Sequence, residues 1–267
     1  CHKATIPAEL VGGCDPNPAM RQRATEVLGN YPWFETLDEL LELGIDCAIV
    51  TSPDDTHEDI TCALLEAGVA VYLEKPIAIT IEGSDRVLET AYRTKTPLYV
   101  GHNMRHMAVV RILRQVVQDG LIGEVRAIWC RHFVGNGGDY YFKDWHADRS
   151  RTTGLLLQKA AHDIDVMNWL SDSVPERVVG MGDLMLYGKL TDRSGQKPDV
   201  VMSDWFSFDN WPPASLTGLN PVIDVEDVSM LMMRQTSGTL ISYEQCHFTP
   251  DYWRNYTVIG TEGRAEN

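Results

Sequence analysis

The side chains of this sequence that could do chemistry centre on a lysine and a histidine. Lys75 stands in the tripeptide 74–76 (Glu-Lys-Pro), directly after the apolar run 69–73, and His162 is followed three residues later by Asp165. A partly buried lysine has a lowered pKa, so it can hold a substrate oxygen and take part in proton transfer. The alternatives are a solvated lysine before a loop proline and a packed core histidine.

The bulk composition narrows the class of protein. The 267 residues are 44% hydrophobic and 23% charged, as in folded globular chains, and the length predicts two domains or one large one. We find no apolar run long enough to cross a bilayer and no signal-peptide pattern in residues 1–3, so we expect a soluble, cytoplasmic protein. Six scattered cysteines without zinc spacing predict reduced thiols and no metal.

The charge balance bears on the partners. The formal net charge is −15, which argues against nucleic acid and against a membrane surface. It also argues against a polyanionic substrate, unless the chain builds a local basic pocket. We therefore expect a small-molecule substrate.

Short apolar runs alternate with helical segments over the first hundred residues. The predicted strands are 8–15, 46–51, 69–73 and 97–101, and the predicted helices are 20–28, 37–43, 57–67 and 81–94. This alternation predicts an α/β fold with a doubly wound, Rossmann-like parallel sheet. The run 46–51 lacks strict polar alternation, as expected for a sheet covered on both faces.

The pattern changes after residue 106. The β-rich runs are 124–133, 178–187, 225–234 and 239–248, and the helices are 107–119 and 155–170. Few long strands with few helices predict an α+β domain with a large, mostly antiparallel, open-faced sheet. Such a face commonly finds a partner subunit, so we expect a homodimer or homotetramer.

Ligands of an open parallel sheet bind at the carboxyl ends of its strands. Asp15 ends the first predicted run, where a carboxylate can accept hydrogen bonds from both ribose hydroxyls of an adenosine and repel a 2′-phosphate. That favours NAD over NADP, and a turn-forming aspartate is the alternative. Thr51, Ser52 and Pro53 follow another strand and are expected over the cofactor cleft. His57 starts the next helix, where capping or packing competes with a cofactor contact.

This succession of motifs resembles the Gfo/Idh/MocA family of NAD(P)-dependent sugar and polyol oxidoreductases. The resemblance rests on 45–53 with His57, on 74–76, on 98–105 and on the helix of His162, and it covers nearly the whole chain. It implies a dinucleotide-binding domain at 1–105 and a substrate-binding and oligomerisation domain at 106–267.

The resemblance also implies roles for single residues. It makes Lys75 both a cofactor contact and part of the catalytic group, lets Glu74 touch the nicotinamide ribose, and leaves Pro76 to fix the turn. It places Asn103 and Arg105 near the nicotinamide or the substrate. Trp145, in the aromatic segment 139–146, could stack on a sugar ring or simply pack on the domain.

The helix of His162 departs from the pattern of the resembled family, which reads D-x-G-x-H-x-x-D. His162 and Asp165 are present, but Gln158 and Ala160 replace the first Asp and the Gly. An amide does not exchange protons near neutral pH, so Gln158 could position His162 or a hydroxyl but could not act as a base. Lys159 could compensate, although neighbouring residues on a helix point about 100° apart.

The front of the expected dinucleotide domain is missing. A sheet of this kind begins with a strand and a G-x-G-x-x-G turn, yet only fourteen residues precede Asp15. We therefore hypothesise that the sequence is a fragment, incomplete at its front and, from its abrupt stop, at its end.

Three functions are consistent with these residues. The first is an NAD(P)-dependent oxidoreductase acting on a sugar or inositol-like polyol, in which His162 is base or acid, Lys75 polarises the reacting oxygen and Asp165 binds a neighbouring hydroxyl. The second is an enzyme that uses the nicotinamide transiently to cleave a glycosidic bond. The third is a non-catalytic regulator that senses a dinucleotide. The replacement of the family's first Asp by Gln158 favours this alternative.

Overall fold

The computed structural model describes residues 8–135, 140–197, 199–200, 202–205, 207–208 and 211–267. In the first part of the chain, short strands alternate with helices, as predicted. The elements are β1 (Gly13–Cys14), α1 (Pro18–Leu28), β2 (Trp33–Phe34), α2 (Leu37–Leu41), β3 (Cys47–Val50), α3 (His57–Glu66), β4 (Ala70–Leu73), α4 (Ile81–Thr94) and β5 (Leu98–Val100).

The strands of this part form parallel sheets. β3, β4 and β5 make a three-stranded sheet with β4 in the middle, while β1 and β2 make a separate parallel pair. Helices α3 and α4 pack on the three-stranded sheet. The buried core between them consists of Val50, Cys62, Leu64, Leu65, Val69, Val71, Leu73 and Val87.

The prediction that both faces of this sheet are covered is wrong for the part of the chain that the structure describes. Along β3, exposed and buried positions alternate, and the side chain of Ile49 is 69% exposed. Tyr99 of β5 is also exposed and stacks on Tyr72 of β4 at 5.3 Å between ring centroids. The physical reason is that α3 and α4 lie on the opposite face, which receives the alternate side chains.

The second part of the chain carries one large sheet. Its elements are α5 (Ala108–Gln118), β6 (Val125–Phe133), α6 (Arg149–Thr152), α7 (Leu155–Ser171), β7 (Pro175–Asp183), α8 (Met202–Trp205), β8 (Val228–Gln235), β9 (Leu240–Cys246), β10 (Trp253–Gly260) and β11 (Arg264–Glu266). The strand order is β11-β10-β6-β9-β8-β7. β6 and β9 run parallel and the other neighbours are antiparallel, which confirms the predicted α+β sheet.

Helix α7 packs against one face of the large sheet. Its fully buried Val166, Met167 and Leu170 join a core that includes Ile128 and Val258. Within the described ranges, neither α7 nor another helix is long and apolar enough to cross a membrane. The opposite face of the sheet is open, with Trp129, Met181 and Met232 exposed.

The sequence patterns placed some strand ends wrongly. The strand predicted at 178–187 is β7, which ends at Asp183 because the next residues turn toward β8. β10 and β11 were not predicted, since β10 interrupts its apolar residues with Arg254 and Asn255. Both polar residues nevertheless lie in a strand that pairs with β6 along its whole length.

The turn after β7 is held by a buried carboxylate. Asp227 accepts hydrogen bonds from the backbone N–H groups of Met185, Leu186 and Tyr187 at 2.8, 2.8 and 2.9 Å. We expect Asp227→Ala to lower the free energy of unfolding by about 3 kcal/mol or more, because buried donors without partners cost about 1 to 3 kcal/mol each. Urea unfolding measures the change, with the exposed Asp85→Ala as control. Equal effects of the two substitutions would contradict this prediction.

Candidate functional site

The candidate site lies where the carboxyl ends of β3, β4 and β5 meet. The loops that follow these strands are 51–53, 74–76 and 101–105, and this edge is where parallel sheets bind ligands. Helix α7 approaches the same edge from the large sheet. The Lys75 ammonium donates a 2.7 Å hydrogen bond to the backbone carbonyl of Gln158 on α7. The predicted lysine and the predicted helix are thereby brought together.

His57 ties the first two loops to each other. Its ring is buried, with Nδ1 at 2.7 Å from the carbonyl oxygen of Pro76 and Nε2 at 2.9 Å from that of Ser52. Both ring nitrogens therefore face backbone carbonyls. This geometry supports the packing alternative for His57 and leaves neither nitrogen for a cofactor. Its effect is to set the position of Pro76, and hence of Lys75.

The ammonium of Lys75 is partly desolvated. Burial lowers the pKa of Lys75, while the nearby carboxylates of Asp54 and Glu74 oppose the shift. Asp54 is itself buried and accepts a 3.0 Å hydrogen bond from the Thr152 hydroxyl. Burial raises the pKa of Asp54, and the positive charge of Lys75 counteracts that rise. A carboxylate and an ammonium thus share one poorly hydrated corner of the site.

His162 lies one helical turn beyond Gln158 on α7. Its side chain is half-buried, and its buried Nδ1 atom has no hydrogen-bond partner among the described residues. Burial, followed by the charges of Lys75 and Lys159, lowers the pKa of His162 to about 3. The imidazole is therefore neutral at physiological pH, so it can accept a proton or a hydrogen bond.

Lys159 points into the same region, which the sequence analysis left open. Burial, followed by the charges of Arg254 and Lys75, lowers the pKa of Lys159 to about 7. Its Nζ lies 5.7 Å from the centroid of the buried Tyr141 ring. The three positions Lys159, His162 and Asp163 follow the i, i+3, i+4 spacing that places helical side chains together.

Asp163 fixes α7 on the large sheet. Its fully buried carboxylate accepts hydrogen bonds from the hydroxyls of Tyr243, at 3.0 Å, and Tyr256. The ring of His132 lies 3.1 Å away, and Arg254 forms an ion pair at 3.3 Å. Burial alone would raise the pKa of Asp163, but the His132 contact and the Arg254 charge outweigh it and lower the pKa to about 2.

Asp165 and Arg105 are paired with each other. The Arg105 guanidinium donates to both carboxylate oxygens of Asp165, at 2.7 and 2.5 Å, and stacks over the Trp169 ring at 5.7 Å. The hydroxyl contact expected of Asp165 stays a prediction. A bidentate ion pair holds its oxygens, so Asp165 and Arg105 can meet a ligand only as one unit.

The remaining predicted residues lie at the rim of the site. Asp15 follows β1 and its carboxylate accepts a hydrogen bond from the backbone N–H of Asn17 at 2.8 Å, as a turn-forming aspartate does. The Ser52 hydroxyl accepts a bond from the Thr56 hydroxyl at 2.6 Å. Asn103 is exposed, and Trp145 is half-buried and stacks on His146 at 3.8 Å. The cofactor and substrate contacts assigned to these residues stay predictions.

The edge of the first sheet fits the polar parts of a dinucleotide. Thr51 is exposed, Ser52 and Glu74 are half-buried, and the buried Nδ1 of His102 makes no hydrogen bond within the described ranges. Hydroxyl, carboxylate and ring nitrogen groups of this kind can bond to ribose and amide groups. In the same ranges, no group of three His, Cys, Asp or Glu side chains could hold a metal ion.

Sequence reasoning missed two buried acids and their partners. Asp163 was not among the predicted site residues, yet it stands three residues before Val166, on the apolar stripe of α7. An aspartate at a position that faces the core was the sequence signal for buried hydrogen-bond partners. Asp54 was not predicted either, and nothing in its local sequence indicates that it meets Thr152 of α6.

The fold combines a Rossmann-like parallel sheet with a second, mostly antiparallel sheet. Residues 2–102 match the family model for the oxidoreductase family with an NAD-binding Rossmann fold, and residues 110–266 match the GFO/IDH/MocA C-terminal domain. The chain belongs to the GFO/IDH/MocA family. The resemblance inferred from the motifs is thereby confirmed.

Several relatives carry oxidoreductase names. YteT of Bacillus subtilis (strain 168), which has a provisional oxidoreductase name, is 26% identical over 299 residues, covering 97% of this chain and 70% of YteT. An inositol 2-dehydrogenase of Klebsiella pneumoniae is 33% identical over 47% of this chain and 35% of its own length. Glucose-6-phosphate 3-dehydrogenase of Bacillus subtilis is 30% identical over 64% of this chain and 49% of its own length. The chain spans about half or less of these last two proteins.

Solved structures share the fold. The WlbA dehydrogenase of Chromobacterium violaceum, in complex with NADH and UDP-GlcNAcA, superposes with a TM-score of 0.76 at 22% identity, covering 97% of this chain and 66% of that one. The scyllo-inositol dehydrogenase of Lactobacillus casei, with bound NAD(H) and scyllo-inositol, superposes with a TM-score of 0.74 at 20% identity. The match covers 97% of this chain and 68% of that one. At these identities the likeness establishes the architecture.

The position of the Lys75 loop is expected to depend on His57. We expect His57→Ala to lower the free energy of unfolding by about 1 to 3 kcal/mol, because a backbone carbonyl loses its N–H donor and a buried ring is removed. His106→Ala is the matched control, since His106 is exposed and, within the described residues, bonds only to the Tyr99 hydroxyl at 3.1 Å. Chemical denaturation measures both variants. A His57→Ala protein as stable as the control would show that the ring does not tie the loops.

The buried carboxylate of Asp163 is expected to make stability depend on pH. Because its pKa is lowered to about 2, its stabilisation is complete above the ordinary value of about 4 and is lost as the pH falls toward 2. Burial lowers the pKa of His132 to about 4, so its contribution is lost earlier, as the pH falls from about 6.5 to 4.

We therefore expect the unfolding free energy to decrease steadily below pH 6.5. Asp163→Asn should cost about 3 kcal/mol at pH 7, where it leaves Arg254 without its partner, and less at pH 3. Urea titrations between pH 3 and pH 7 measure the difference. A cost that is the same at both ends of this range would contradict the assigned charge of Asp163.

Proposed function

We propose that this protein is an NAD(P)-dependent dehydrogenase acting on a CH–OH group of a sugar, an inositol-like polyol or a related hydroxylated compound. The observation that carries the proposal is the 2.7 Å bond from the Lys75 ammonium to the Gln158 carbonyl. It holds a partly desolvated ammonium one helical turn from the neutral imidazole of His162. The names of the relatives, which include an inositol and a sugar phosphate dehydrogenase, support the substrate class.

An alcohol that loses a hydride must also lose its hydroxyl proton. The nicotinamide supplies the hydride acceptor when it is bound. Lys75 has two further N–H donors beside the one bonded to Gln158, so it can hold and polarise the reacting oxygen. His162, whose Nδ1 has no partner in the described part of the chain, can accept the proton. The paired Arg105 and Asp165 then orient neighbouring hydroxyls at the mouth of the site.

NAD is the proposed cofactor in preference to NADP. Asp15 follows β1 at the carboxyl edge, where a carboxylate repels a 2′-phosphate. Its bond to the Asn17 N–H occupies Oδ1 and supports a fixed orientation of the carboxylate. A fluorescence titration with NADH and NADPH separately tests the preference, and equal affinities would contradict it.

We also propose that the protein assembles as a homodimer or homotetramer. The open face of the large sheet supports this, because Trp129, Met181 and Met232 expose 54%, 81% and 69% of their surface there. Apolar patches of this kind mark interaction surfaces. Size-exclusion chromatography with light scattering measures the assembly directly, and a monomer at micromolar concentration would contradict it.

The turnover number is expected to depend on Lys75. We expect Lys75→Met to lower kcat by about 10²- to 10⁴-fold, the range of a lost proton-transfer group, with unfolding within about 1 kcal/mol of the wild type. The methionine keeps most of the buried stem and removes only the ammonium. Lys189→Met, at an exposed lysine of the β7–β8 connection, is the matched control. NADH formation is followed with inositols and hexoses, and wild-type turnover by Lys75→Met would refute the assignment.

A further inference from the structure

Strand β7 forms one edge of the large sheet, and that edge is free within the described residues. The strand is terminal in the strand order, and its neighbour is β8. It has nine residues, more than the usual number of about five or six, and it pairs in unbroken register from Arg177 to Asp183. Natural proteins protect such edges with charges, prolines or bulges. Here Pro175 and the bulge lie at the beginning of the strand, and the run 178–182 carries no charge.

The backbone groups that point away from β8 can be identified. Gln235, at the end of β8, donates its N–H to the carbonyl of Thr239, directly before β9, at 2.9 Å. Backbone groups alternate along a strand, so every second residue of β8 bonds toward β9 and the residues between bond toward β7. The residues that bond toward β9 lie opposite Val178, Gly180 and Gly182. The N–H and C=O groups of these three residues therefore point to the free edge, where an added strand can pair with them.

The strand is complementary to itself when a second copy runs antiparallel to it. Arg177 and Asp183 lie three residues on either side of Gly180, both are exposed, and neither is ion-paired within the described ranges. A two-fold axis at Gly180 places Arg177 of each copy opposite Asp183 of the other. The same register places the exposed Val179 opposite the exposed Met181. These are non-hydrogen-bonded pairs, in which opposite side chains lie closest to each other.

A pocket of about 620 Å³ opens beside this edge, on the side of α7. The apolar part of its lining includes Leu156, Leu157, Gly180 and Gly182. The two-fold register places the partner's Val178 opposite Gly182, with its side chain directed to the same side of the sheet. Val178 is exposed in the single chain. Pairing therefore gives this side chain an apolar place next to a residue that has no side chain of its own.

We propose that β7 pairs edge to edge with β7 of a second copy of this chain, antiparallel about Gly180, so that the two large sheets become one continuous sheet. Gly180 pairs with Gly180 of the copy, and Val178 pairs with Gly182 on either side, each pair sharing two backbone hydrogen bonds. Two Arg177–Asp183 ion pairs close the ends of the interface. The inference does not depend on the dehydrogenase assignment. It adds a defined two-fold interface to the assembly proposed above, which rests on the open face of the sheet.

A charge exchange tests the register. Sedimentation equilibrium gives the dissociation constant of the wild type, of Arg177→Asp, of Asp183→Arg and of the double variant. We expect each single reversal to raise the dissociation constant by about tenfold or more, because like charges then face each other at both ends of the interface. The double variant should return to within about threefold of the wild type. Arg111→Asp, at an exposed arginine of α5, is the matched control, and thermal unfolding checks that every variant folds.

Disulfide cross-linking tests the same register without relying on charge. The variants Val179→Cys and Met181→Cys are oxidised separately and as a mixture. In the proposed pairing, positions 179 and 181 of different copies lie about 5 Å apart, whereas identical positions lie about 7 to 8 Å apart, too far for a disulfide. We therefore expect a 179–181 cross-link in the mixture and no 179–179 or 181–181 cross-link in the separate samples. Mass spectrometry of the non-reduced digest identifies the bonded peptides.

The outcomes separate edge pairing from assembly through the open face. Association that Arg177→Asp weakens and the double variant restores supports edge pairing, whether or not the protein forms NADH. Association that Met232→Asp on the open face abolishes, and that both charge reversals leave unchanged, would support the open face and overturn edge pairing. Cross-links between identical positions as strong as those in the mixture would overturn the proposed register. A wild-type protein that is monomeric at micromolar concentration would overturn both interfaces.

Discussion

An ammonium group bonded to a backbone carbonyl joins the two sheets of this protein. Lys75 extends from the end of β4 and Gln158 lies in the first turns of α7, so the bond spans the gap between the parallel sheet and the helix that rests on the large sheet. A backbone acceptor does not depend on the side chain at that position. The departure from the family pattern at Gln158 therefore leaves the lysine's position intact, although it removes a carboxylate from the site.

Burial and charge oppose each other throughout the site. Burial lowers the pKa of Lys75, Lys159 and His162, which drives each toward its neutral form. The charge of Asp54 opposes the lowering of the Lys75 pKa. Asp163 forms an ion pair with Arg254 and opposes the lowering of the Lys159 pKa less strongly. The two lysines thus differ in the acid that lies nearby. The pKa of Lys75 is lowered, and the pKa of Lys159 is lowered to about 7.

The local parts of this arrangement could be predicted from the sequence. Apolar runs and turn residues indicated the helices and most strands, because periodicity and turn chemistry are local properties. The tripeptide 74–76 and His162 were identified in the same way. The buried network of Asp163 could not be, since its partners come from β6, β9 and β10, more than thirty residues away in either direction. The pairing of Arg105 with Asp165 could not be predicted for the same reason, because sixty positions separate the two residues.

Six consecutive residues of helix α7, 158–163, have different structural roles. Gln158 accepts the bond from Lys75, Lys159 and His162 have lowered pKa values, and Asp163 is bonded to the sheet. A change at one of these positions shifts a backbone that the others share, so this turn offers little freedom for acquiring new specificity. The loop that carries Trp145 makes none of these bonds among its described residues, and the half-buried Trp145 stacks on His146 instead. Divergence toward other substrates would therefore proceed by exchanging residues of that loop, with the helix retained as a rigid chemical unit.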